Sequence, residues 1–179
     1  MLASNHTNLI ALQSIQRAFL FTEGAQFLRN ANAQGVVDSI VFRFVLKNSG
    51  MTPTRHMTSH VSHGYYPNGL PRKFSFPDER ADTSTPLDVG PHGETGIENG
   101  PFSASKIEDV LSGRTRLYFW GWARYHDIFE GTPEHITEFC LELVGVDGDP
   151  FSPSQSQPGV ASFRACAVHN CYDDECQRQ

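Results

Sequence analysis

No run of about 18 consecutive apolar residues occurs in this sequence, so no segment has the character of a membrane-spanning helix. Positive charge is scarce: 14 Lys and Arg stand against 20 Asp and Glu, a net charge of -6. General nucleic-acid binding needs a basic face that displaces counterions, and an anionic membrane surface asks for the same, so the charge argues against both partner classes. Met1 to Arg17 has neither the basic leading region nor the unbroken apolar core of a signal peptide. Also missing are the phosphate loop, the dinucleotide fingerprint, the nucleophile elbow and the zinc-protease helix.

What is present is aromatic and turn-rich. The 179 residues include 13 Phe, 15 Gly and 11 Pro, a composition of short strands and many turns. The length suits one domain plus a small appendage, with enough buried surface to fold without a metal or a disulfide. The divisions read as a helix or linker over 1–17, a β domain over 18–168 and a cysteine-containing tail over 169–179.

Leu9, Leu12 and Ile15 fall at helical spacing, with Asn5 or Thr7 as a cap. Asn5-His-Thr7 also matches a glycosylation sequon, a short and unspecific signal. Strands are expected over 18–28, 36–47, 54–62 and 159–168. The second is the clearest, with Ile40, Phe42, Phe44 and Leu46 on one face and Arg43 and Lys47 on the other. Residues 64–100 show little periodicity and read as a long loop with a short strand near 87–89. Ser103 to Ser112 reads as a helix, with Ser105 and Glu108 as a capping box and Gly113 as the stop. The centre of the chain is a hairpin, 116–125 paired with 135–146, and both tryptophans lie in its first strand. Helices do not alternate with strands, so the pattern predicts an all-β fold: an antiparallel, two-sheet, immunoglobulin-like sandwich with a short N-terminal helix and one short internal helix.

Four groups of residues could carry chemistry. Cys140, Cys166, Cys171 and Cys176 are candidates for disulfides or a metal, and their four sulfurs allow three pairings. Cys140, Cys171, Cys176 and His169 could form a tetrahedral zinc set, although Cys-x4-Cys is looser than the usual ligand spacing. His126-Asp127 and Glu134-His135 flank the hairpin connection, where a His–carboxylate pair could do acid/base work. His56 and His60, and likewise Glu138 and Glu142, are separated by about 13 Å along a strand, too far to share one ion or hydrolyse a glycoside. Trp120, Trp122 and Tyr125 are candidate ligand contacts. Aromatics on both faces of 118–125 favour core packing instead.

The motifs Asn48-Ser-Gly-Met-Thr-Pro-Thr-Arg55, Phe74-Ser-Phe-Pro77, Arg116-Leu-Tyr-Phe-Trp-Gly-Trp122, His126-Asp-Ile-Phe129, Gly131-Thr-Pro133, His135-Ile-Thr-Glu-Phe-Cys140 and His169-Asn-Cys-Tyr-Asp-Asp-Glu-Cys176 together resemble a family of uncharacterised bacterial proteins. Members carry an N-terminal membrane helix, then an Arg-Ala-aromatic step, like Arg17-Ala-Phe19 here, then a β-rich C-terminal domain. The resemblance spans roughly Arg17 to Cys176 and implies a membrane tether. It carries no assigned activity. Membrane contact is then expected only through a segment absent from this chain.

The resulting expectation is a non-enzymatic, periplasmic or otherwise extracytoplasmic interaction domain, without cofactor, for an unknown protein or small ligand. The alternatives are a metal-dependent or hydrolytic enzyme using His and Cys residues near the 126–140 hairpin, a carbohydrate-binding module, and a cytoplasmic setting.

Overall fold

The computed structural model describes residues 11–77, 85–152 and 158–178. The expected caps Asn5 and Thr7, the sequon and Leu9 lie outside the described residues. A helix α1 (residues 11–16) leads into strands β1 (Leu20–Ala31), β2 (Val37–Asn48), β3 (Arg55–Tyr65) and β4 (Glu94–Ser103). Helix α2 (Ala104–Leu111) follows, then β5 (Leu117–His126), β6 (His135–Val146), β7 (Gly159–Ala165), β8 (Cys171–Tyr172) and a 3-10 helix (Asp173–Arg178). No helix among the described residues is long and apolar enough to cross a membrane.

The fold is all-β, and every strand pairing is antiparallel. The pairing does not divide the strands into two separate sheets. One eight-stranded sheet runs β3-β5-β6-β7-β1-β2-β4, with β8 added beside β6. It curls until its two edges approach, and Asn99 Nδ2 of β4 donates to Val61 O of β3 at 2.9 Å. The shape is therefore close to a barrel, and along the paired path the shortest ladder is between β7 and β1, where two residue pairs, Gln26–Val160 and Phe27–Gly159, join the strands.

Phenylalanine fills the interior. Ile40, Phe42, Phe44 and Leu46 of β2 are all fully buried, as period-2 alternation requires of an inward face. Phe119 of β5 packs its ring 5.1 Å from Phe42 and 4.9 Å from Phe44, and Phe139 and Phe163 complete the cluster around Phe44. Such tilted and edge-on contacts match ring quadrupoles and add to the burial of apolar area. Gly121, between the two tryptophans, faces inward. A Cβ there would meet His60 O of the neighbouring strand and lie 2.9 Å from the Phe139 ring.

Two expectations need correction. The stretch 64–100, read as loop, contains most of β4. Its sequence Glu-Thr-Gly-Ile-Glu-Asn-Gly-Pro-Phe-Ser has no apolar alternation, because one long neighbour, β2, supplies the pairing from Ser39 to Lys47. Helix α2 is capped by Ser103, without a side-chain hydrogen bond, and not by a Ser105–Glu108 box. Ser105 instead shares a 3.2 Å hydroxyl contact with Ser103.

One buried polar residue organises the start of the domain. Asn48 is fully buried, and its side chain is saturated: Oδ1 accepts from Phe19 N and Gly50 N, and Nδ2 lies within hydrogen-bond distance of the carbonyls of Thr52, Val89 and Gly90. Asn48 thus ties the entry to β1, the turn before β3 and the chain before β4 to one point.

Two substitutions test this packing. Gly121→Ala is expected to destabilise the domain by about 1–3 kcal/mol, because the obstacle is backbone and cannot swing aside. Phe44→Ala is expected to cost about 3–5 kcal/mol through the cavity it leaves. Urea denaturation followed by tryptophan fluorescence measures both.

Candidate functional site

The outer face of β5 and β6 carries Tyr118, Trp120, Trp122, Glu138 and Cys140, since pairing sets Trp120 opposite Cys140 and Trp122 opposite Glu138. Two segments cover it. The chain after β3 lays Tyr66, Leu70, Phe74 and Phe76 over Tyr118, Trp120 and Cys140. The tail closes from the other side through two disulfides, Cys140–Cys166 and Cys171–Cys176. The first anchors the chain leaving β7 to β6, and the second is local to the tail. Cys140 is fully buried and bonded to Cys166, so it is not available to a zinc set with Cys171, Cys176 and His169.

Between the two covers lies a cleft of about 570 Å³, whose walls include His60, Arg72, Phe76, Trp122, Arg124 and His169. The volume falls in the range of small-molecule sites. Trp120 is committed to packing: its ring lies 5.0 Å from Phe74, and its indole N–H donates to Pro77 O at 3.0 Å. Trp122 lines the same cleft and is 8% exposed, with the Arg124 guanidinium 4.7 Å above its ring. Arg72 and Arg124 are both exposed, and neither makes an ion pair among the described residues. The carboxylate at the cleft floor, Glu138, is turned to the tail, with Oε2 3.2 Å from His169 Nδ1 and 3.2 Å from Cys171 Sγ.

One wall of the cleft is built at a backbone cost. Phe76 and His169 stack face to face at 4.2 Å, with 4° between ring planes. Both residues sit in the left-handed region, at φ 47° and 62°. For side chains with a Cβ this costs about 1–2 kcal/mol each. Non-glycine outliers of this kind concentrate at binding and catalytic sites.

A second cluster lies where the hairpin connection, the entry to β1 and the tail meet. His135 is nearly buried and held from both sides. Its Nε2 is 3.0 Å from Asp127 Oδ2, and its Nδ1 is 3.1 Å from Asp173 Oδ1. Arg17 donates to Asp173 Oδ2 at 2.7 Å and approaches His135 Nδ1 at 2.8 Å. Thr132 Oγ1 and Phe129 N both donate to Asp127 Oδ1. The bond to Asp173 raises the His135 imidazole above its ordinary value, against burial, and the Asp127 bond adds to the rise. Burial works to raise Asp173, but the bonds from His135 and Arg17 outweigh it and hold its carboxyl at about 2. Asp127 is likewise held low, its bonds from Thr132, His135 and Phe129 outweighing burial. Both ring nitrogens of His135 are occupied, and the arrangement is a clamp joining three segments distant in sequence.

The expected site residues therefore separate. Trp120, Trp122, His169 and Cys176 all border one cleft, and Trp120 is also packed against Phe74. Tyr125 points to the other face of β5, 2% exposed, where Leu20 N donates to its hydroxyl at 3.2 Å. His56 donates its backbone N–H to Asp88, and His60 Nε2 lies 2.9 Å from Ser62 Oγ. Glu142 sits between Arg116 and Arg164. His126 is exposed at the end of β5. Sequence reasoning missed Arg72, Arg124, Arg17 and Asp173. Only Arg124 had a local signal, since two residues along a strand places it on the Trp122 face.

The clamp predicts a pH profile. Asp173 is lowered, so its contribution is present above about pH 4 and is lost as pH falls towards 2. His135 is raised, so its contribution is complete below about pH 6.5 and is lost as pH rises through its folded value. The thermal midpoint difference between wild type and His135→Ala is therefore expected to be largest near pH 5 and smaller at about pH 9 and pH 2. A difference independent of pH would remove the ionic clamp. Comparison of the chain with family models, curated proteins and solved structures found no match.

Proposed function

We propose that this chain is a non-enzymatic binding domain that works outside the cytoplasm, on an all-β scaffold of immunoglobulin-like size. Its ligand is a small anion with a flat apolar part. The observation that carries this reading is the cleft, lined by Phe76, Trp120 and Trp122, where Arg72 and Arg124 offer charge not matched by an ion pair among the described residues. An acidic chain that collects two arginines at one concave, aromatic surface favours an anionic guest. The carboxylate in the cleft, Glu138, is engaged by His169. Two disulfide-bonded cysteine pairs support an oxidising compartment. Trp120 and Trp122 are both nearly buried, at 5% and 8% exposure, so each offers a ligand only the part of its ring that lines the cleft.

Titration with 2-naphthoate, a flat carboxylate, tests the site. Saturable quenching of tryptophan fluorescence is expected, weakened about tenfold or more in Arg124→Ala, the loss of a charge-assisted hydrogen bond. Equal binding of the neutral alcohol 2-naphthylmethanol would remove the arginines from the reading. Absence of any saturable response to either compound would remove the cleft. The compartment is tested separately, by thiol titration of unfolded, unreduced protein isolated with thiols blocked: no free thiol is expected, and four would rule out the oxidising setting.

A further inference from the structure

We propose that reduction of the Cys171–Cys176 disulfide converts the tail into a zinc site, with both thiolates, the Glu138 carboxylate and the His169 imidazole as ligands. Three of the four donor groups are already gathered, and the fourth, His169, adjoins them through Glu138. Cys171 Sγ, Cys176 Sγ and a Glu138 carboxylate oxygen all lie within 4.8 Å of one another. Glu138 Oε2 is 3.2 Å from Cys171 Sγ and 3.2 Å from His169 Nδ1. Ligand atoms about 2.0–2.3 Å from a tetrahedral zinc stand about 3.3–3.8 Å from each other. Two edges of the tetrahedron are thus near their bound lengths, and the sulfur–sulfur edge opens when the disulfide is cleaved.

The carboxylate–sulfur contact points the same way. In the disulfide, Cys171 Sγ has no proton, so nothing bridges it to the Glu138 oxygen. A shared cation or a thiol proton supplies that bridge. Strand pairing holds the two in place, since Glu138 of β6 lies directly opposite Cys171 of β8. His169 is positioned by its stack on Phe76. Two thiolates, an imidazole and a carboxylate form a set suited to zinc and unsuited to calcium or magnesium, which take oxygen ligands.

The two disulfides differ in access. Each joins a buried cysteine, Cys140 or Cys171, to a half-buried one, but the first bond spans 26 residues and the tail bond 5, and of the two half-buried partners it is Cys176 that borders the open cleft. A dithiol reductant has a route to the tail bond through the cleft at Cys176. It gives up two electrons and two protons and becomes a disulfide itself, while Cys171 and Cys176 become thiols. Zinc then displaces the thiol protons into solvent.

The test loads zinc or cobalt(II) into the full chain, oxidised and after anaerobic treatment with dithiothreitol removed by gel filtration. Reduced protein is expected to retain one equivalent of zinc by elemental analysis, and oxidised protein none. Cobalt(II) is expected to show a thiolate-to-metal charge-transfer band. Glu138→Gln and His169→Ala are each expected to keep that band while weakening zinc about tenfold or more. The double variant Cys171→Ser/Cys176→Ser should retain no zinc. The proposal is overturned if reduced wild type binds no zinc, if cobalt binds without the band, if the double serine variant retains zinc, or if either single variant binds with wild-type affinity. The single variants decide the matter should the double variant fail to fold.

Discussion

The curled sheet depends on one close approach, the Phe27 ring of β1 against the backbone of Gly159 in β7. A Cβ at Gly159 would coincide with that ring, so the residue opposite Phe27 has to be glycine. Only two residue pairs join the strands there, and without them the path would break into separate halves. Phe27 is fully buried and belongs to the same cluster as Phe42, Phe44, Phe119 and Phe139. The seam and the core are therefore one structure: closing the sheet brings the phenylalanines into contact, and their contact holds the sheet closed.

Because the interior is filled with rings, chemistry is displaced to the outside. Two surfaces result, and both are made by covering segments rather than by the sheet alone. Over β5 and β6, the chain after β3 and the disulfide-bearing tail leave a cleft between them. At the opposite end of the hairpin, Arg17, Asp127, His135 and Asp173 lock the entry to β1, the hairpin connection and the tail together. The tail takes part in both, through His169 and Cys176 in the cleft and Asp173 in the clamp. A change in the tail is thereby linked to the ligand surface and to the approach of the chain into β1.

Much of the fold was legible because strands with one buried face announce themselves. The β2 alternation from Ile40 to Leu46 and the aromatic hairpin β5–β6 carry period-2 signals strong enough to place their faces. β4 carries none: with Gly96, Gly100 and Pro101 in its ten residues, its strand character comes from pairing with β2 and not from its own side chains. The capping box at Ser105 is a local pattern set aside by the path of the chain, which starts α2 directly from β4 at Ser103. Of the candidate site, Trp122, His169 and the cysteines were readable as residue types able to bind. Their neighbours were not, because Arg72 lies in an aperiodic segment, and Asp173 meets His135 across 38 positions of sequence.

The amino-acid sequence by itself determined the all-β class, the inward face of β2 and the hairpin at the centre, because alternation and turn chemistry act within a few residues. Tertiary structure alone decided the closing of the sheet, the pairing of Cys140 with Cys166 and of Cys171 with Cys176, and the gathering of Glu138 with His169 and the tail cysteines. These are relations between segments that a sequence separates widely. They exist only once hydrophobic burial has chosen which strands are neighbours and which faces lie outside.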